Sequence, residues 1–433
     1  MAQEETADVV IIGAGIIGCS IALALRRRGF DTLNIDMLPA AGQGSTSFSA
    51  AIIRPYYSTI EGAALAYEGH FYWRDWSKFL ACPEVQPLAR YNQCGCLVLM
   101  QRGERLLSTR RILDEVGVPY EVLTGADVSA RLPNICLNSF APPKRIDDPR
   151  FGSVEGDDLP GAIFCPTGGF INDPMLVCQN LAQSAQAIGA RFLFKSEVAN
   201  INVEDGAIKG LTLCDGREIR ARAVVNAAGP HSSKINALAG VSTAIQTRAL
   251  RQEVAHVPAP EGLVFANGGV VITDADAGIY MRSELGNHLL IGSLEPKCDT
   301  LEWVDPDSFE TNHTEQWTNQ VWRAALRFPE MGVPNTSSGF VALYDTSSDW
   351  IPIYDRSDVD GYFMAIGTSG NQFKNAPIVG QMMCELIEKT LQGVDHDKDP
   401  ISFHLRHIGR DISLKHFSRN RPVNQASSFS VLG

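Results

Sequence analysis

Three glycines near the start of the chain, Gly13, Gly15 and Gly18, are spaced G-x-G-x-x-G, and an acid, Asp36, follows about 20 residues further on. The first glycine permits a tight turn, the second lets backbone approach a pyrophosphate, and the third lets a helix pack closely on a strand. A helix starting here offers free N–H groups and its positive dipole end to phosphate oxygens. A carboxylate at Asp36 can accept hydrogen bonds from ribose hydroxyls. The chemistry implied is dinucleotide binding, which by itself does not separate NAD from FAD. Three further features favour FAD: the unit opens the chain, a Ser/Thr-rich loop with Ser45, Thr46 and Ser47 follows, and a second Gly-rich junction runs from Gly367 to Gly380. Backbone N–H groups and a helix dipole at such a junction can stabilise negative charge on a reduced isoalloxazine ring.

Those residues work only if the segments around them fold as strand, helix and strand. DVVII (8–12) is a β-branched run of the kind a buried parallel strand uses. ALALRRRG has basic residues in its last turn and Gly29 as a stop, which predicts a helix, and TLNID (32–36) reads as the next strand. Residues 61–80 read as a helix with one apolar side. CLVLM reads as a strand, RLLSTRRILDEVG as a helix, and 141–160 as a Pro-rich loop. Asp173-Pro174 opens a helix over 175–188, and strands are expected at 191–204, 207–213 and 221–230. RQEVAHV, GVVIT, GIYMR and HLLIGS, around a helix near 314–327, predict an antiparallel sheet. A strand at 361–367 and a helix at 377–392 complete the pattern.

The implied class is α/β plus antiparallel sheet. A Rossmann-type FAD-binding domain from 1–90, 150–245 and 340–400 is interleaved with a substrate domain on a mixed or antiparallel sheet from 91–149 and 246–339. Residues 401–433 form a C-terminal extension, whose Arg406, Arg410, Lys415, Arg419 and Arg421 read as solvated and only partly docked.

The 433 residues are enough for about two or three domains. A net charge of -12 argues against a nucleic-acid partner, since phosphate binding needs a concentrated positive field. The ten cysteines form no C-x-x-C pair, which reads as reduced thiols in a cytoplasmic protein rather than zinc ligands. The acidic start, MAQEETAD, is unlike a secretory signal, and the apolar run after it is too short and Gly-rich to be a transmembrane segment. There is no G-x-S-x-G or H-E-x-x-H.

GAGIIG (13–18), GSTSFSAAIIR (44–54), VVNAAGP (224–230), YDTSSDWIPI (344–353) and GTSGNQFKNAPIVG (367–380) together resemble the D-amino-acid oxidase/sarcosine oxidase-like (DAO) family, in order over nearly the whole chain. The resemblance implies transfer of a hydride from the α-carbon of an amine to FAD, followed by imine hydrolysis. The substrate implied is a small amine or amino acid, and the electron acceptor is oxygen or an electron carrier. It casts Arg54 and Lys374 as the two sides of a carboxylate clamp and Tyr344 as a pocket residue. Arginine would supply a bidentate fork and lysine a point charge. The expected cofactor-binding set is Gly13, Gly15, Ile16, Ile17, Gly18, Asp36, Ser45, Thr46, Ser47, Val198, Ala228, Gly229, Gly367, Gly370, Asn371, Gln372, Phe373 and Lys374. Arg282, in GIYMR beside Tyr280, is a further candidate for an anion. His231 and His288 are assigned no role.

The chain also departs from that family. Ala342 and Ser49 stand where some members carry the cysteine or histidine that attaches flavin, so FAD is expected to be non-covalent. Leu290 stands where monomeric sarcosine oxidases carry the lysine that promotes reaction with oxygen, which leans towards a dehydrogenase. Asn371-Gln372 replaces the usual His-Gly, so specificity is expected to differ from sarcosine. Two alternatives stay open: a 2-hydroxy-acid dehydrogenase on the same fold, and a non-catalytic FAD-containing assembly or interaction protein.

Overall fold

Val9, Val10 and Ile11 have no exposed surface, and a run with no polar alternation belongs inside a sheet covered on both faces. In the computed structural model, which describes residues 5–100, 104–260 and 269–433, this run lies within the strand Glu5–Ile12 of an eight-stranded sheet. Thr32–Ile35 and Glu218–Asn226 flank it in parallel, with Val10 opposite both Leu33 and Val224. Glu218–Asn226 changes partner along its length. Residues 218–220 pair with the antiparallel hairpin that follows Val198, and residues 224–226 pair in parallel with Tyr362–Ile366.

The helix Ile16–Arg27 buries Ile16 through Leu25. Pro174–Ala187 and Ala376–Leu391 pack on it. Ser20 Oγ donates to the Ala376 carbonyl at 2.6 Å, and a Cβ at Gly380 would stand 2.5 Å from the Ser20 carbonyl. Only glycine admits so close an approach of two backbones.

A nine-stranded sheet forms the second layer. Thr247–Pro258 pairs with Gly339–Ser347 and His288–Ser293, and the sheet continues through Ile279–Glu284, Val271–Asp274, Cys96–Leu99 and Gly161–Cys165 to Glu121–Thr124. Neighbours are antiparallel except Val271–Asp274 with Cys96–Leu99. The strand Gly161–Cys165, inside the range 150–245 of the sequence division, and Gly339–Ser347, all but its first residue inside 340–400, are hydrogen-bonded into this second sheet. The helix Glu315–Arg327 covers one face, packing Trp317, Val321 and Ala324 among Ile272, Met281 and Ile291.

Short elements outside the sequence expectation include the strands Glu121–Thr124 and Ile353–Arg356 and the helices Gly125–Arg131 and Ser232–Leu238. Each is too short for periodicity to register. The 61–80 helix is corrected in two ways. It divides at Asp75 into Ile60–Arg74 and Trp76–Leu80, and the buried set of the first part takes in Glu68 and His70 beside the apolar residues, while Tyr67 and Phe71 are half-buried and Arg74 is exposed. The cause is the C-terminal segment, which covers the outer face: Glu68, 1% exposed, accepts the backbone N–H groups of His407 at 3.0 Å and Ile408 at 3.2 Å.

The reading of that segment as solvated and only partly docked is corrected at two of its five bases, Arg406 and Lys415 being exposed and Arg410 half-buried. Arg419 and Arg421 are buried, Arg419 against Asp355 at 3.1 Å and Asp397 at 2.9 Å, and Arg421 against Asp349 at 2.8 Å. A buried guanidinium needs carboxylate partners, and the body of the fold supplies them. No helix among the described residues is long and apolar enough to cross a membrane.

Candidate active site

The first strand turns into its helix at Gly13, where φ is +113° and a Cβ would stand 2.3 Å from the Ala227 carbonyl and 3.4 Å from Ala228 Cα. Gly13 therefore touches the segment that leads through Ala228 to Gly229. A Cβ at Gly18 would stand 2.2 Å from the Gly13 carbonyl, and one at Gly15 would stand 3.3 Å from Thr46 Oγ1. Thr46 Oγ1 accepts the Ile16 N–H at 3.2 Å, which ties the Ser/Thr-rich loop to the helix start beside Ile17. In the same loop Ser45 Oγ donates to the Leu343 carbonyl at 2.8 Å, and Ser47 Oγ caps the Gly44 carbonyl at 2.9 Å.

Asp36 Oδ2 accepts the Ala14 N–H at 2.7 Å, and Oδ1 accepts the Leu38 N–H at 2.8 Å. Burial pushes its carboxyl up from the usual value, with those two donors pulling the other way. Each oxygen keeps a further lone pair, so ribose hydroxyls can still donate to it. Ser196 donates its N–H to the Asp36 carbonyl at 3.0 Å, which brings the chain just before Val198 to the same corner. This cradle fits a dinucleotide: small residues line the turn, and an acid stands at the strand end.

The second junction begins after Tyr362–Ile366. Gly367, at φ +66°, donates its N–H to Asp345 Oδ2 at 2.6 Å, and Asp345 Oδ1 accepts from Ser232 Oγ at 2.8 Å. Gly370 lies flat on Tyr344, where a Cβ would stand 2.5 Å from the ring. Asn371 and Gln372 are buried and bonded to each other; Gln372 Oε1 also accepts from Tyr354 at 3.0 Å and Asn375 at 2.8 Å. Phe373 stacks on Trp73 with ring centroids 5.6 Å apart.

Burial pushes the Asp345 carboxyl up to about 7. Such a group binds its proton more tightly folded than unfolded. It therefore favours the fold most below about pH 4, and the contribution is lost as pH rises through about 7. The thermal midpoint of the wild type should fall more between pH 5 and pH 8 than that of Asp345→Asn. Parallel curves for the two proteins would refute this assignment.

Arg54 and Lys374 come together across Tyr57. Arg54 follows the short strand Ile52–Ile53, which pairs with Gly169–Ile171, and its guanidinium lies 4.5 Å from the Tyr57 ring centroid. It donates to the carbonyls of Tyr56 and, at 2.7 Å, Val431. Lys374 lies in the turn before the last long helix, where Trp73 Nε1 holds its carbonyl at 2.7 Å. Its Nζ donates to the Asn371 carbonyl at 2.7 Å and to the Tyr57 hydroxyl at 3.2 Å. Burial, with Arg54 adding to it, holds the Lys374 amine well below the usual lysine range. An anion brought between these two groups would be stabilised by both.

Arg282 does not stand free for an anion. It is ion-paired with Glu284 at 2.8 Å and donates to the Ala50 carbonyl at 2.6 Å. His231 pairs with Asp307 at 2.8 Å, and His288 bonds to the Gly286 carbonyl at 2.9 Å.

Two residues here lie outside the sequence expectation. Tyr57 carried a signal, standing three positions after Arg54 in RPYY. Glu295 carried only a weak one, an acid directly after the apolar strand in IGSLEP. Glu295 Oε2 accepts the Val431 N–H at 2.8 Å, while Oε1 is buried without a hydrogen-bond partner. Burial pushes its carboxyl up to about 8. Ala51, Glu295, Trp350 and Ser369, none of them glycine, have φ of +49°, +49°, +60° and +48° around this locus. Such strain persists only where surrounding structure enforces it.

The family model described as DAO, FAD dependent oxidoreductase, matches residues 8–386. The chain is 25% identical over 426 residues to FAD-dependent oxidoreductase domain-containing protein 1 of Bos taurus, covering 88% of this chain and 81% of that protein. It is 23% identical over 412 residues to the mitochondrial sarcosine dehydrogenase of Homo sapiens, covering 90% of this chain and 41% of that protein. The crystal structure of L-proline dehydrogenase from P. horikoshii superposes with a TM-score of 0.74 at 22% identity, over 90% of this chain and 95% of that one.

Proposed function

Because this chain belongs to the DAO family of FAD-dependent oxidoreductases, we propose that it oxidises a C–N bond in a small amino acid or a secondary or N-methylated amine. The observation that carries this reading is the meeting of Arg54 and Lys374 on Tyr57, beside the Gly367–Gln372 loop. Relatives named for sarcosine and for L-proline, both secondary amino acids, support it.

FAD, when bound, supplies an acceptor for the hydride leaving the α-carbon. The helix start at Gly15 and Ile16 would hold its pyrophosphate, Asp36 its ribose, and the Thr46 loop with Gly367–Gln372 its ring system. With Ser49 and Ala342 at the two positions of covalent attachment, the cofactor is held non-covalently. Arg54 binds and orients the substrate carboxylate, and Lys374 steadies it from the other side. The electron acceptor is a carrier rather than oxygen, on the strength of Leu290. Ten unpaired cysteines fit a reducing compartment, and we place the enzyme in the cytoplasm.

Absorbance under argon tests this. Sarcosine, N-methylated or cyclic amino acids, or D-amino acids should bleach the flavin band, and 2-hydroxy acids should not. Arg54→Ala should raise KM for the carboxylate-bearing substrate by about 100-fold or more, the scale of a buried charge-assisted pair. Bleaching by hydroxy acids alone, or an unchanged KM in the variant, would overturn the reading.

A further inference from the structure

Val431 is held at both ends of its own residue. Its N–H donates to Glu295 Oε2 at 2.8 Å, and its carbonyl accepts from Arg54 Nη2 at 2.7 Å. Its side chain belongs to a buried apolar cluster with Tyr280, Leu294 and Trp350. A peptide residue presents nitrogen, α-carbon and carbonyl in the same order and spacing as a free α-amino acid. One residue of the C-terminal segment thus meets an acid at its nitrogen, an arginine at its carbonyl and an apolar slot at its side chain.

The match is incomplete in an informative way. A peptide N–H carries one hydrogen, whereas an amine carries two or three. Glu295 Oε1 is the buried acceptor left over. An unmet carboxylate oxygen is costly inside a protein, and a second N–H from a ligand would satisfy it. The backbone at Glu295 is itself in the left-handed region, held by the bond from its own N–H to Ser293 Oγ at 3.0 Å.

We propose that Arg54 and Glu295 are the two poles of a binding site for an α-amino acid with a branched apolar side chain, and that the 427–433 segment fills that site in place of substrate. The proposal rests on the reading of Arg54 as the carboxylate ligand and adds the residue that recognises the nitrogen. An ammonium group brought against Glu295 draws it to its ionised form, which accepts hydrogen bonds and donates none, and so selects for an amine. The segment reaches the site by Ser58, whose N–H donates to the Gly433 carbonyl at 3.2 Å, and it has to leave before substrate can enter.

The probes are valine, in both enantiomers, and isovalerate, which shares the carboxylate and the branched chain but has no nitrogen. Each is titrated into the FAD-loaded protein under argon, and Kd is read from the perturbation of the flavin band. Deleting 427–433 should lower Kd for both probes at least tenfold. Val431→Asp, which puts a charge into the apolar slot beside Glu295, should act in the same direction if the deletion disturbs folding. In either background Glu295→Gln should weaken valine at least tenfold and leave isovalerate within twofold. Unchanged Kd values after both displacements of the segment would overturn its role as a stand-in. Equal weakening of both probes by Glu295→Gln would overturn amine recognition. The band shift reports binding without turnover, so the two readings fail separately. Valine that binds in a Glu295-dependent way while no amine ever bleaches the flavin sinks C–N oxidation and keeps the site. Bleaching by amines that is indifferent to Glu295 sinks the site and keeps the chemistry.

Discussion

An alanine at position 13 should leave the protein colourless. The added Cβ would stand 2.3 Å from the Ala227 carbonyl, at a φ of +113° that L side chains rarely adopt. The obstacle is backbone, so no side chain can swing aside, and the strand Glu5–Ile12 must part from the end of Glu218–Asn226. The pyrophosphate turn and the helix start are then lost together. Retention of FAD should fall by at least about 100-fold, the equivalent of roughly 3 kcal/mol. Gly15→Ala makes an instructive contrast. Its Cβ meets only Thr46 Oγ1, at 3.3 Å, so the apoprotein should keep its thermal midpoint while losing cofactor affinity. Titration of each apoprotein with FAD, with melting curves alongside, checks both. A yellow, normally stable Gly13→Ala protein would remove the nucleotide assignment of this turn.

The second large effect concerns the other layer. Arg327 is fully buried at the end of its helix, paired with Asp274 at 2.6 Å and Asp276 at 2.5 Å. It also donates to the carbonyls of Cys136 at 3.0 Å and Asn138 at 2.5 Å. Arg327→Leu leaves two carboxylates in a dry interior with no cation. Breaking a buried pair from one side costs about 3–5 kcal/mol. For a protein of 433 residues that should lower the thermal midpoint by roughly 3–6 °C. Adding Asp274→Asn and Asp276→Asn to the leucine variant should recover part of the loss, because the stranded charges are then gone. If the single variant melts with the wild type, the pair carries no such weight.

How much of this was legible beforehand depends on how locally each constraint is written. Gly13, Gly15, Gly18 and Asp36 lie within one short unit, and each must be its own residue type for a stated reason, so sequence alone placed them. Arg54 and Lys374 were legible only as fragments of a family pattern. Their meeting on Tyr57 is a fact of tertiary folding that no spacing reveals. Arg419 and Arg421 misled, because a run of bases with one nearby acid looks like a solvated surface. The acids that neutralise them, Asp349, Asp355 and Asp397, arrive from other segments. Glu295 carried only a weak signal for the same reason: its partner, Val431, lies 136 positions away.

The bond from Ser20 to Ala376 joins residues 356 positions apart, and that separation bears on how the chain is born. The Glu5–Ile12 strand leaves the ribosome well ahead of its neighbour Glu218–Asn226 and of the helix that closes over Ile16–Arg27. At about 5–20 residues per second, the opening strand waits roughly 20–70 s for the last of its cover. During that interval a strongly apolar β-segment can pair with Thr32–Ile35 on one edge only, its other edge waiting for Glu218–Asn226, and such pairing across long loops is slow even once the chain is complete. An apolar strand edge left open for that long is the kind of surface that chaperones cover.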